Sequence, residues 1–85
     1  MEKLLVKKEG IYLAVNTNLK QIRMEHKINQ EELAHAVGAH PKSISRIERG
    51  ENTASLELAL RLSQYFNRTV EEIFYVDNIS LQPYD

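Results

Sequence analysis

The chain has 85 residues, 42% hydrophobic and 27% charged, enough for one small domain with a single modest core and too mixed for a disordered chain. It has no cysteine, which excludes disulfides and thiolate metal sites, and no apolar run approaches the roughly 18 residues of a membrane span. The net charge of −1 hides a polarised chain: all eleven Lys and Arg lie at or before Arg68 against eight acids, whereas Glu71, Glu72, Asp77 and Asp85 follow with no cation.

Residues 1–16 contain two short apolar runs around Glu9-Gly10, which predicts a β-hairpin. An isolated two-stranded ribbon is marginal in water, so this one needs a covering surface. That surface is either its own domain or a second subunit, and a dimer interface is the preferred expectation. Thr17 or Asn18 can cap a first helix running through Lys27, with Leu19 and Ile22 as its inner stripe. Asn29 with Glu32 three residues on forms a capping box for a second helix, in which Leu33, Ala34 and Val37 make one buried stripe. Gly38 supplies the positive φ that stops it, and Pro41 suits the first turn of the next helix.

In that third helix Ile44 and Ile47 face inward, while Lys42, Ser45, Arg46 and Arg49 fall in a narrow arc on the opposite side, and Gly50 ends it. Residues 51–54 form a loop, and Ser55 can cap a long helix through Phe66. Leu56, Ala59, Leu62, Ser63 and Phe66 give this helix an apolar face that Leu58 and Leu60 broaden, as in a core helix or one that also meets a subunit. Asn67 can take the left-handed conformation that ends it. Thr69 to Glu72 is another capping box, starting a short fifth helix with Ile73 and Phe74 inward. Residues 75–85 read as a third short strand or a frayed tail, and Tyr12, Tyr75 and Tyr84 in the two ends suit a subunit contact.

Two short helices across a tight turn, the second with a stripe of cations, have the geometry a major groove admits. The same stripe is equally a solvated helix face, and spacing alone leaves both readings open.

The N-Q-E-E-L-A start, the glycine eight residues after Gln30, the S-I-S-R-I-E-R-G run and the following S-L-E-L-A-L helix change that balance. Together, from Asn18 to Phe74, they resemble the Cro/C1-type (Xre-like) helix-turn-helix family of bacterial and phage DNA-binding proteins. The resemblance implies a mostly α, five-helix lambda-repressor-like domain over residues 17–74. The N-terminal hairpin of residues 1–16 and the C-terminal tail or strand of residues 75–85 are additions to it.

It also implies roles. Lys42 and Arg46, with Ser43 beside them, occupy base-reading positions. Gln30, Arg49 and Asn52 fall where phosphate contacts are expected, and Arg23 sits where the family pairs an arginine with the glutamate of the third helix, here Glu48. His40 and Pro41 depart from the small polar residues often found there, which leaves two or three side chains to read sequence. Family members usually act as two-fold dimers on palindromic sites.

Nothing in the sequence resembles a catalytic constellation: His26, His35 and His40 lack metal spacing, and the carboxylates at helix starts are explained by capping. No enzyme activity, metal or small-molecule cofactor is expected. The expected protein is a cytoplasmic, nucleoid-associated transcriptional regulator, a repressor binding double-stranded DNA as a homodimer. An antitoxin repressing its own operon falls within that reading. The alternative is a helix-turn-helix module that binds proteins instead of DNA.

Overall fold

A computed structural model of the protein describes residues 15–76. In chain order these form β1 (Val15–Thr17), α1 (Leu19–Glu25), α2 (Gln30–Val37), α3 (Pro41–Glu48), α4 (Leu56–Phe66), α5 (Val70–Ile73) and β2 (Phe74–Val76). The five helices and their order agree with the sequence reading. Of the hairpin expected over residues 1–16, the Glu9-Gly10 turn and everything through residue 14 lie outside the described residues, while Val15 and Asn16 pair with Val76 and Tyr75.

Helix boundaries follow local chemistry. Asn29 accepts the Glu32 amide at 2.7 Å while the Glu32 carboxylate takes the Asn29 amide at 2.8 Å, and Thr69 and Glu72 repeat the exchange at α5. Ser55 accepts the Leu58 amide at the start of α4, and Asn67, at φ 57°, ends that helix. At the start of α1 the residues expected to cap divide the work. The Thr17 hydroxyl accepts the Leu19 amide at 3.0 Å and donates to the Ile73 carbonyl at 2.9 Å. The Asn18 side chain instead donates to the Glu72 carbonyl at 3.1 Å. The beginning of the domain is thereby tied to its end, and the same region carries the antiparallel pairing of β1 with β2, with Val15 opposite Val76 and Thr17 opposite Phe74.

Three details correct the sequence reading. Helix α1 stops at Glu25, not Lys27, because Lys27 turns left-handed at φ 57° to bring Ile28 back against the core. Such a turn usually announces itself with glycine, which is absent here. Phe74 is not helical: it opens β2 with extended backbone and packs half-buried at the core's edge. In α4 the wide apolar stripe is only partly used. Ala59, Leu62 and Phe66 are buried, but Leu56 and Leu60, one turn apart on the flank, are 75% and 49% exposed.

The core is one cluster drawn from all five helices: Leu19 and Ile22, Leu33, Ala34 and Val37, Ile44 and Ile47, Leu62 and Phe66, and Ile73. His26 closes one side, its Nδ1 donating to the Ile22 carbonyl at 3.0 Å and its ring lying edge-on to Phe66 with centroids 4.8 Å apart. Packing of α2 against α3 follows from Gly38, at φ 71°, whose amide closes the end of α2 and frees the chain to reverse within three residues.

Gly38 and Gly50 test how far backbone conformation alone governs these turns. A Cβ at Gly38 would lie 2.9 Å from Nη1 of Arg61, the far end of a flexible side chain, and one at Gly50 would meet nothing within 4 Å. Both have positive φ, so Gly38→Ala and Gly50→Ala are each expected to cost about 1–2 kcal/mol in urea unfolding. A much larger loss at Gly38 would show that Arg61 cannot move aside.

Candidate nucleic-acid interface

The candidate surface is the outer face of α3, and its position is set from behind. Ile44 and Ile47 are 0% and 3% exposed and press this helix into the core. Pro41 occupies its first turn, and the preceding residue, His40, caps it by accepting the Lys42 amide on Nδ1 at 3.1 Å. The sequence reading treated His40 as a departure from the usual small polar residue and as a histidine without metal spacing, not as a cap. Its place directly before a proline at a helix start was the available signal.

A second restraint is electrostatic. The structure brings Arg23 of α1 and Glu48 of α3 together in a two-pronged contact, Nε to Oε2 at 2.6 Å and Nη2 to Oε1 at 3.1 Å. Their side chains are only 10% and 2% exposed. The remaining terminal nitrogen of Arg23, Nη1, donates to the Ile28 carbonyl at 2.9 Å. Gln30 joins them through Nε2, which donates to Oε1 of Glu48 at 2.9 Å. No buried side-chain nitrogen or oxygen among the described residues lacks a partner. One ion pair therefore fixes α3 to α1, to the turn after α1 and to the first residue of α2.

The engagement of Gln30 was not foreseen. Nε2 carries two hydrogens, so one remains for an outside acceptor such as a phosphate. In the first turn of α2 the capping box takes the Glu32 amide and leaves those of Gln30 and Glu31 without a partner inside the helix.

On the outer face Lys42 and Arg46 are exposed, one turn apart, and make no ion pair among the described residues. Ser43 is half-buried beside them, and Asn52 is exposed in the loop after the helix. Arg49 differs. Its Nε and Nη2 donate to the two carboxylate oxygens of Glu51 at 2.9 and 3.1 Å, and its Nη1 donates to the Ser45 hydroxyl. Hydrogen bonding to Glu51, reinforced by its charge, raises the Arg49 pKa above its ordinary value and correspondingly lowers that of Glu51. Sequence reading gave Glu51 no role, although its spacing two residues after an arginine and across a glycine was visible. No three His, Asp or Glu side chains among the described residues converge as metal ligands would.

The arrangement is a short rigid helix offering two unpaired cations and one paired cation, beside a helix start with free amides. Comparison with known proteins bears on the family of the chain. The helix-turn-helix family model matches residues 19–73. An uncharacterized HTH-type transcriptional regulator of Archaeoglobus fulgidus is 36% identical over 67 residues, covering 79% of this chain and 94% of that protein. A similar regulator of Methanocaldococcus jannaschii is 33% identical over 64 residues, covering 75% and 97%. Among solved structures, the restriction-modification controller protein C.AhdI from Aeromonas hydrophila superposes with a TM-score of 0.59 at 28% identity, covering 64% of this chain and 82% of that one.

The buried pair makes a prediction separable from binding. Arg23→Met or Glu48→Leu alone is expected to cost about 3–5 kcal/mol, since each leaves a buried charge without its partner. The double variant is expected to cost less than either, as measured by urea unfolding. Strictly additive losses would show that the two groups are not coupled.

Proposed function

The chain belongs to the helix-turn-helix family of transcriptional regulators, and we propose that it binds double-stranded DNA sequence-specifically, as a homodimer on a palindromic operator, and represses by occupying it. The observation that carries this reading is the pairing of exposed Lys42 and Arg46, one turn apart, with a back face held by Ile44, Ile47 and the buried Arg23–Glu48 contact. A helix so anchored can enter a major groove without losing its place in the domain.

In this reading Lys42 and Arg46 reach base edges, with guanine O6 and N7 the natural acceptors, and Ser43 lies beside them. Gln30, with its free amide hydrogen and the start of α2, grips a phosphate, while Arg49 and Asn52 meet the backbone at the other end of α3. Two or three base-reading side chains give one module little affinity, which is the reason for proposing two. Exposed Leu56 and Leu60 on α4 are available for that second copy, and this reading gives the added ends of the chain the same role.

Binding to random-sequence DNA under a salt gradient tests the mode: a steep fall in affinity with salt is expected, and absence of binding would favour a protein-interaction module instead. Against a sequence selected from a random pool, Arg46→Ala is expected to cost about 1–3 kcal/mol and to relax preference at one base pair. Gln30→Ala is expected to weaken all sequences alike. Equal losses on selected and random DNA from Arg46→Ala would contradict its assigned role. Removing residues 1–14, which leaves both strands of the β1–β2 pairing in the chain, is expected to reduce the number of chains per particle in solution from two to one; a truncated chain that is still a dimer would place the dimer contact elsewhere.

A further inference from the structure

The proposed interface has an acid on its rim that the fold does not explain. Glu48 also lies on α3, but its charge is buried against Arg23 and holds the domain together. Glu51 is different: its side chain is 53% exposed and, among the described residues, its carboxylate bonds only to Arg49. Its position is built by the chain. Gly50, at φ 80°, reverses the backbone, and the Glu51 amide closes onto the Arg46 carbonyl at 2.9 Å. The carboxylate is thereby returned toward the end of α3, where it meets Arg49 edge to edge in a planar fork. Ser45, one turn back, takes the third nitrogen. The guanidinium thus lies along the helix between positions 45 and 51 instead of reaching outward. The positive charge of Arg46 also favours the ionised form of Glu51, which places the carboxylate within the field of the same cationic face.

A carboxylate at the edge of a surface that meets a polyanion is repelled by it, and it ties up a cation that would otherwise be offered. We infer that Glu51 is a built-in competitor for Arg49, and that it sets the margin between selected and random DNA. This rests on the proposal that the outer face of α3 meets DNA. The pair is half-exposed and therefore readily opened: exposed ion pairs are weak, and a phosphate held at the right place can replace the carboxylate. At a cognate site Lys42 and Arg46 lock the register on base edges, and the backbone phosphate beside the end of α3 is held where it can take Arg49. On random DNA the register wanders, no phosphate is fixed there, and the pair stays closed. Glu51 therefore withholds one cation from unselective binding and releases it to selective binding.

The test compares the full chain with Glu51→Gln, Arg49→Ala and the double variant, on a pool-selected sequence and on random DNA at several salt concentrations. Glu51→Gln keeps the shape, removes the charge and leaves Arg49 free. It is expected to bind random DNA more tightly and with a salt slope steeper by up to about 0.9, which over a fourfold rise in salt is roughly a threefold to fourfold larger loss of affinity. Its preference for the selected sequence should fall. In the Arg49→Ala background Glu51→Gln is expected to change little, because the cation it would release is gone. Two results overturn the inference while leaving DNA binding intact: unchanged random-DNA affinity and slope in Glu51→Gln, or equal tightening with and without Arg49, which would make Glu51 a simple repulsive charge. Failure of the unaltered chain to bind any DNA would remove the reading beneath it as well. Both side chains are exposed, so unchanged thermal unfolding midpoints are expected to show that all variants remain folded.

Discussion

Among the described residues, the Arg23–Glu48 contact ties together more elements than any other ion pair. Burying two opposite charges is costly, and their attraction offsets that cost only when the remaining donors and acceptors are also satisfied. Here they are: Arg23 spends its third nitrogen on the Ile28 carbonyl, and Glu48 accepts from Gln30 as well. A hydrophobic pair could hold α1 against α3 at least as firmly. It could not dictate the rotation of α3 about its own axis or seat the first residue of α2 at a defined point beside it. The contact is better understood as fixing orientation than as adding stability.

Once that orientation is set, the three surfaces of α3 follow. The inner surface is apolar and ends in Ile44 and Ile47, the flank is the ionic contact, and the outer surface holds the cations. The apolar contacts are indifferent to small rotations, because dispersion and water exclusion have no preferred direction. The directional hydrogen bonds on the flank remove that freedom. In the proposed role this matters at the scale of one base pair, since a turn of α3 would carry Lys42 and Arg46 off their acceptors together. The short cap at His40 works to the same end by ordering the first turn, where Lys42 sits.

Much of this was legible in the residues, and the omissions have physical causes. Caps written in adjacent letters were read correctly: Asn29 with Glu32, Ser55, Thr69 with Glu72, and Gly38 as a stop. The inward stripes of α2 and α3 followed from period alone. What escaped depended on side chains choosing among partners. Nothing local says that Gln30 turns to Glu48, eighteen residues away, or that Arg49 folds onto Glu51 instead of extending. Leu56 and Leu60 fitted the apolar period of α4, but that helix buries a narrower face than its composition allows. Lys27 shows the converse: tertiary packing of Ile28 imposed a left-handed turn on a residue with no preference for it.

The pairing of Val15 with Val76 places the entry and exit of the described domain on neighbouring strands. Partners across an antiparallel ladder lie only about 5 Å apart, so the domain is closed on itself like a loop on a string. Such a unit can be spliced into the surface turn of an unrelated host without stretching either junction, and its two ends can be joined by a short peptide and reopened elsewhere.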